Sequence, residues 1–421
     1  MIETAFIHIG TEKTGTTTIQ DFLYRNDAAL ASAGYCVPTG MGRRNQTRLA
    51  AYAMKDRRKP THLHLRYGID GPEARREFDS GVEADFGRTM ASAGTAHSVI
   101  VSSEHLQSLL RTTSELEKLK ALFGRYVKNC RVIVYLRRQD EMAVSPYSTR
   151  IKAGGGTNSK VFPKPKDRLP FNYDYAGLVE RLEAVFGAHA LDIRLFDRAH
   201  LVEGDLIADF CAATGIDPAL DLESPDSRNP SLTSLGVHFL ETFNKHVPDR
   251  VGSDLNKVRR NVVEIMEENF AGQYKMVARA AAEAFYSQFR EGNAVIRDKY
   301  FPQLTRPTLF DEDFSAYPEA AELPEYDFED AVEVAAALWA GASRKLRELQ
   351  AENVFLRGQL LTERGDHEDA AIHFQRAVDA LNTPPERYLT ALEASRERVE
   401  QARAAEADNS MVVEAAGPRN K

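Results

Sequence analysis

Three short segments carry residue types that could hold an anion and move a proton. The first is Gly10-Thr11-Glu12-Lys13-Thr14-Gly15-Thr16-Thr17-Thr18. An apolar run, Ala5-Phe6-Ile7-His8-Ile9, precedes it, and a helical stripe at Ile19, Phe22 and Leu23 follows. A loop between a strand and a helix turns backbone N–H groups and the positive end of the helix dipole toward a phosphate. Gly10 and Gly15 permit close backbone approach, Lys13 adds a mobile charge, and the threonines add hydroxyl donors. A nucleoside-triphosphate loop needs lysine directly after its second glycine. Here Thr16 stands in that place and Lys13 lies inside the loop, so the segment reads as a phosphate loop of a different kind. A plain strand-to-helix turn is the alternative. The second segment is Arg137, directly after the apolar run Val132–Leu136, with Ser145 eight residues on. A guanidinium fork at a strand tip and a hydroxyl on the next helix can hold one phosphate between them. Arg138 is the competing arginine. The third is Ser102-Ser103-Glu104-His105, which ends another apolar run and offers a base. If the chain is extended there, Glu104 and His105 point opposite ways and only one faces the site. An imidazole titrates near neutrality unaided, whereas a carboxylate needs its pKa raised. A helix-start carboxylate and a packing histidine are the alternatives.

The pattern Lys13-Thr14-Gly15-Thr16-Thr17 resembles the 5′-phosphosulfate loop of sulfotransferases that use 3′-phosphoadenosine 5′-phosphosulfate (PAPS). The Arg137…Ser145 spacing resembles the 3′-phosphate signature of the same family. Phe171–Tyr175, Gly204–Phe210 and Asn229–Thr233 follow the layout of its bacterial members, so the resemblance covers roughly residues 1–310. It implies a P-loop-type three-layer sandwich around a central parallel sheet. It also implies that PAPS is bound by Gly10, Lys13, Thr14, Gly15, Thr16, Thr17, Arg137 and Ser145. Lys13 would face the departing bridge oxygen, and Glu104 or His105 would be the base. The family uses either type, and Ser-Ser-Glu resembles the carbohydrate-directed and bacterial members, which favours Glu104. The implied reaction is sulfuryl transfer to a hydroxyl or amine of an unidentified acceptor, a carbohydrate or other small or cell-envelope molecule, with no metal. His62, His64, Arg66 and the basic run at 43–59 fall where the family shapes its acceptor pocket. Pro146 departs from the pattern, because proline is tolerated only in a helix's first turn. Glu12, beside Lys13, is a second departure. A P-loop kinase or NTPase, and a non-catalytic interaction protein on the same scaffold, are the other classes. The misplaced lysine and the lack of a clear second acidic motif count against the first.

These residues need elements to hold them. Ser98–Ser102 and Arg131–Leu136 are continuous apolar strands, whereas Leu191, Ile193 and Leu195 alternate with Asp192 and Arg194, as on a sheet edge. Helical stripes at Leu178, Leu182, Val185 and Phe186, and at Leu206, Ile207 and Phe210, separate or follow them. Apolar strands alternating with helices mean an α/β fold with a parallel sheet covered on both faces. Ligands in such folds bind beyond the carboxyl ends of the strands. Residues 153–170, with Gly154-Gly155-Gly156 and three prolines, read as a loop beside that end, a lid or a plain connector.

The chain of 421 residues allows two or three domains. With 43% hydrophobic and 28% charged residues it is neither disordered nor a membrane bundle. No run approaches 18 apolar residues, and the first residues carry no signal-peptide pattern, so a cytoplasmic protein is expected. Three scattered cysteines form no metal cluster. Lys and Arg number 54 against 62 Asp and Glu, a net charge of −8 that argues against nucleic acid as a partner. Nine acids and no Lys or Arg fall between 311 and 330, which reads as a linker closing a catalytic domain at 1–310. Val332, Ala335, Trp339, Ala342, Leu346, Leu349, Asn353, Leu356 and Leu360 then keep a 3-4 spacing with Asn at one core position. That pattern suits a two-stranded coil and allows a homodimer through 332–360. Gly365-Asp366-His367, Ala370, Phe374 and Ala377 resemble half of one tetratricopeptide repeat, so 331–405 reads as a helical hairpin, with a frayed tail at 406–421.

Overall fold

The computed structural model describes residues 1–55, 60–154, 161–163, 169–225, 231–248, 250–251, 254–272, 277–320 and 326–415. Five parallel strands form its main sheet: β1 (Ile2–His8), β2 (Tyr35–Cys36), β3 (Ser98–Ser102), β4 (Val127–Leu136) and β5 (Leu191–Leu195), in the spatial order β2-β3-β1-β4-β5. The central place of β1 follows from its composition. Ala5, Ile7 and their register partners Val99, Val101 and Val132 are fully buried, with Cys130 half-buried beside them. The alternation in β5 marks an edge as expected, its Asp192 and Arg194 only half-buried. The two-residue β2 at the other edge is too short to have a periodicity.

Helices cover both faces. Ala5, Ile7, Val101, Val132, Val134 and Leu136 pack with Leu119, Phe123 and Leu182 on one side. Ile100, Ile133 and Tyr135 pack with Ile19, Phe22, Leu23 and Phe210 on the other. Each Val, Leu, Ile or Phe among them contributes roughly 1.5–3 kcal/mol on burial. The stripe at Ile19, Phe22 and Leu23 is the buried face of the Thr16–Arg25 helix, and Leu178, Leu182, Val185 and Phe186 that of the Tyr175–Phe186 helix.

The chain divides into two compact units, Met1–Asp249 with Phe270–Glu325, and Arg250–Asn269 with Tyr326–Lys421. This corrects two expectations. The first unit is not the continuous stretch 1–310, because residues 250–269 belong to the second. Nor is 311–330 a linker throughout. Phe310, Phe314 and Tyr317 are buried in the first unit. Arg138 donates to the carbonyls of Asp311 and Asp313, both at 2.7 Å, and the Tyr317 hydroxyl donates to Asp140 at 2.7 Å. Aromatic anchors spaced three and four residues apart hold an acidic strap that composition alone reads as solvated. The Glu322 and Glu325 end of the stretch lies outside the described residues.

In the second unit the Phe328–Glu363 helix starts at a capping box formed by Asp327 and Asp330. Its Gly341 admits Ile265 of the Lys257–Asn269 helix, and its Gly358 admits Phe374 of the His367–Asp379 helix. Ala351, Phe355, Ala370, Phe374, Ala377, Tyr388 and Leu392 form one cluster, so the Glu386–Ala415 helix joins the hairpin. That helix runs past 406 to Ala415, where the sequence suggested fraying.

Candidate active site

β1, β3 and β4 are neighbours, and their carboxyl ends carry the three segments singled out above. The loop after β1 is held by its own side chains. The Thr11 hydroxyl donates to the Tyr135 carbonyl at 2.6 Å, and the Thr14 hydroxyl to the Thr11 carbonyl at 2.8 Å. Both threonines are fully buried. Two successive turns in the left-handed region, Lys13 at φ 66° and Gly15 at φ 73°, bring the loop into the Thr16–Arg25 helix. For Lys13 that geometry is uncommon and costs about 1–3 kcal/mol, which the surrounding hydrogen bonds offset. Gly10 is required by crowding, since a β-carbon there would stand 2.3 Å from the Thr16 hydroxyl oxygen. Thr17 is exposed at the helix start. Of the threonines expected to meet a phosphate, Thr14 therefore has its hydroxyl engaged within the loop, while Thr17 is exposed.

Lys13 donates to the Thr149 hydroxyl on the Gln139–Lys152 helix. Burial lowers its pKa, and the nearby Lys152 and Arg137 lower it further against an opposing Glu12. Arg137 leads off from β4, donating to the Lys13 carbonyl at 3.1 Å and to Glu141 at 3.0 Å, and lying over the Phe196 ring. Three cationic side chains thus converge beside the loop. Arg138 has another place. It is buried, paired with Asp140 at 2.9 Å, and stacked 4.3 Å over Phe314.

Ser145 lies in the second turn of the Gln139–Lys152 helix rather than at its start. The helix continues through Pro146, against the expectation that proline would confine it to a first turn. Packing on both flanks, with Met142 and Ile151 fully buried, stabilises the helix where proline removes one backbone hydrogen bond. Arg137, Arg138, Glu141, Ser145, Ser148, Ser231, Gly272 and Tyr317 are among the residues that line a cavity of about 360 Å³. It opens beside Arg137 and is large enough for a small organic ligand. Ser231 belongs to the stretch Asn229–Thr233, of which Asn229 and Pro230 lie outside the described residues.

After β3 the chain turns into a short helix, His105–Ser108, with Glu104 at its N-cap in helical conformation. The extended-chain alternation therefore does not apply. Glu104 and His105 come to one edge, His105 Nε2 standing 3.9 Å from Glu104 Oε1. Gln20 Nε2 donates to Glu104 Oε2 at 2.9 Å, and Asn45 Nδ2 donates to Oε1 at 2.8 Å. Both carboxylate oxygens are thus oriented by amides. Burial holds His105 below the ordinary histidine pKa, His62 and Arg66 add to this, and Glu104 opposes it. The His62 and His105 rings lie 4.9 Å apart. Glu12 feels the charges of both groups. Burial raises its pKa, Glu104 raises it further, and Lys13 opposes both.

Residues 42–48 lie across the tip of β3 because the Gln46 side chain accepts from the Ser102 N–H at 2.8 Å. Three residues of the basic run have local partners: Arg44 pairs with Asp21 at 2.9 Å, Arg48 with Asp85 at 2.7 Å, and Arg43 donates to Tyr24. Arg57, Arg58 and Lys59 are outside the described residues. His64 closes a capping box with Thr61 and meets Arg75 at 3.1 Å, so its role is structural. Of the loop at 153–170, Phe162 stacks on Phe285 at 4.7 Å, while 155–160 and 164–168 lie outside the described residues. Sequence reasoning missed Gln20, Asn45, Thr149 and Lys152. Gln20 alone carried a signal, a polar residue beside Ile19 on the apolar stripe of its helix. No group of three or more His, Cys, Asp or Glu among the described residues could hold a metal ion, and no described helix is long and apolar enough to cross a membrane.

No family model matches the chain. An uncharacterized protein of Archaeoglobus fulgidus is 26% identical over 242 residues, which is 56% of this chain and 62% of that protein. The chain thus matches less than two thirds of that relative's length. Among solved structures, a sulfotransferase from Alicyclobacillus acidocaldarius is similar over 58% of this chain and 93% of its own, with 15% sequence identity and a TM-score of 0.35.

Proposed function

We propose that the first unit is a PAPS-dependent sulfotransferase acting on a hydroxyl or amine acceptor, a carbohydrate or other small or cell-envelope molecule. The observation that carries this reading is one juxtaposition. The Gly10–Thr18 loop and Arg137 meet through the Arg137–Lys13 hydrogen bond, and Arg137 and Ser145 line the adjoining 360 Å³ cavity. The loop suits the 5′-phosphosulfate, with backbone N–H groups at a helix start and Thr17 exposed there. Arg137 and Ser145 suit a second, 3′ phosphate. The cavity behind them takes the adenosine.

In this reading the acceptor oxygen attacks sulfur as the bond from sulfur to the bridging phosphate oxygen breaks. The proton of the acceptor passes to the base, and the products are the sulfated acceptor and adenosine 3′,5′-bisphosphate. Lys13 leaves Thr149 to meet the charge growing on the bridging oxygen, where a preorganised cation is worth most in the transition state. His105 is the base the surroundings favour. Burial keeps its imidazole neutral at neutral pH, so it can accept a proton without first losing one. Glu104, held by Gln20 and Asn45 beside the ring, then stabilises the imidazolium that forms.

Calorimetric titration tests the nucleotide. Adenosine 3′,5′-bisphosphate should bind at least tenfold more tightly than AMP, and ATP with Mg²⁺ should bind weakly. Tighter ATP–Mg²⁺ binding would make the chain an NTPase or kinase instead. Lys13→Met tests the chemistry: transfer of labelled sulfuryl to an acceptor from a cell extract should fall by about 10²–10³-fold, with bisphosphate affinity changed only a few-fold.

A further inference from the structure

We infer that the Phe328–Glu363 helix pairs with the same helix of a second copy of this chain as a parallel, in-register two-stranded coiled coil. The inference stands apart from the proposed activity and rests on the second unit alone. The helix has two apolar faces on opposite sides. One is taken by its own chain: Val334, Gly341, Ala351, Phe355 and Gly358 are buried against neighbouring helices. The other is the heptad stripe. All nine of its positions are exposed, among them Trp339 at 78%, Leu349 at 64%, Leu346 at 57% and Leu356 at 52%. In the heptad frame with Val332 at a and Ala335 at d, the internally packed residues fall mostly at c and f, opposite the a/d seam. A second helix can therefore reach the seam without displacing the helices already packed.

Three features specify what covers the seam. Its 3-4 period persists from Val332 to Leu360, about 42 Å of helix, and only another heptad helix matches that period throughout. With its flanks it offers on the order of 600 Å² per copy, close to the roughly 800 Å² per partner of a standard interface. Asn353 occupies an a position between Leu349 and Leu356. Its amide finds its best partner in the same amide of an in-register parallel copy, which satisfies both side chains. The flanks agree, since Glu352 at g falls opposite Arg357 at e of the second copy. Glu352 already accepts from Arg387 and Tyr388, and a carboxylate has sites to spare.

The test uses the full chain. Sedimentation velocity at about 10 µM should give twice the chain mass. The double substitution Leu346→Glu/Leu349→Glu should return a single chain mass with an unchanged far-UV circular dichroism spectrum, because both residues are exposed within one copy. Asn353→Cys should form a reducible dimer on mild oxidation that the parent chain, whose Cys36, Cys130 and Cys211 are buried or half-buried, does not form. A monomeric full chain, a dimer that survives the double substitution, or a dimer without the 353 cross-link would each overturn the proposal. The first leaves the seam to a different partner, the second moves the interface elsewhere, and the third makes the pairing antiparallel. None of these outcomes touches nucleotide binding.

Discussion

Arg137 and Arg138 are adjacent in sequence and differ almost wholly in what they touch. Arg138 is buried in an ion pair with Asp140 and bonded to two strap carbonyls. Removing it leaves Asp140 buried beside an empty space, so Arg138→Ala should cost about 3–5 kcal/mol in chemical denaturation. Arg137, at the mouth of the cavity, makes one hydrogen bond to the loop and a pair with the half-exposed Glu141. Arg137→Ala should leave stability within about 1 kcal/mol and weaken adenosine 3′,5′-bisphosphate by roughly ten- to a hundred-fold, with AMP little changed. Equal loss for both nucleotides would remove Arg137 from the 3′-phosphate. His8 shows a different use of burial. It is the last residue of β1, fully buried against Tyr135 and Phe210 with Nδ1 2.8 Å from the Ser102 hydroxyl, and burial lowers its pKa from 6.5 to about 3. Above pH 6.5 both folded and unfolded chains keep this ring neutral, and it contributes no pH dependence. Below 6.5 only the unfolded chain takes the proton, so stability falls with pH, by up to about 1.4 kcal/mol per unit until the folded pKa is reached. Urea denaturation between pH 6.5 and 4.5 should therefore be less steep with pH in His8→Gln than in the parent. Parallel slopes would show that His8 is not the group responsible.

At the scale of elements, small residues decide which helices can meet. A β-carbon on Gly341 would come within 2.7 Å of Ile265, so the Phe328–Glu363 and Lys257–Asn269 helices approach closely at that point. Lys345 with Glu264, at 2.6 Å, and Arg344 with Glu268 flank the contact as surface pairs of small worth. Gly341→Val should thus destabilise the second unit by about 1–3 kcal/mol through overpacking, despite valine's better fit to a regular backbone than glycine. Its melting transition, read by near-UV circular dichroism at Trp339 in the same helix, should move down. An unchanged transition would mean that the two helices separate freely.

For the whole molecule, the two units interleave in sequence. Residues 250–269 leave the first unit, join the second, and the chain returns at Phe270. Cutting the chain after 325 therefore takes more than a tail, since it strips the Lys257–Asn269 helix of the helix that covers Ile265. The truncated chain should bind adenosine 3′,5′-bisphosphate if it is kept soluble, because every residue lining the cavity precedes 318. It should also show increased hydrogen exchange confined to 250–269. Loss of nucleotide binding would make the second unit part of the catalytic fold.

The sequence by itself determined the elements that rest on local repetition. The apolar strands, the amphipathic stripes and the heptads are periodic within a few residues, so each can be read without any distant contact. It also placed Lys13, Glu104, His105 and Arg137 at the ends of strands, since a strand end is where an apolar run stops. What only the tertiary structure decided depends on contacts between residues far apart in the chain. The acidic strap is core because Arg138 and Asp140 meet Asp311, Asp313 and Tyr317 some 170 residues away. Asn45 bears on Glu104 because Gln46 ties the 42–48 segment to β3, and Gln20 because the Thr16–Arg25 helix brings its amide to the end of β3, where it also meets the Ser102 carbonyl. Glu104 and His105 share one edge because a helical turn begins at Glu104, one of the two conformations the sequence left open. None of these long-range pairings leaves a periodic trace in the sequence, because a single hydrogen bond or ion pair needs only one residue of the right type at each end.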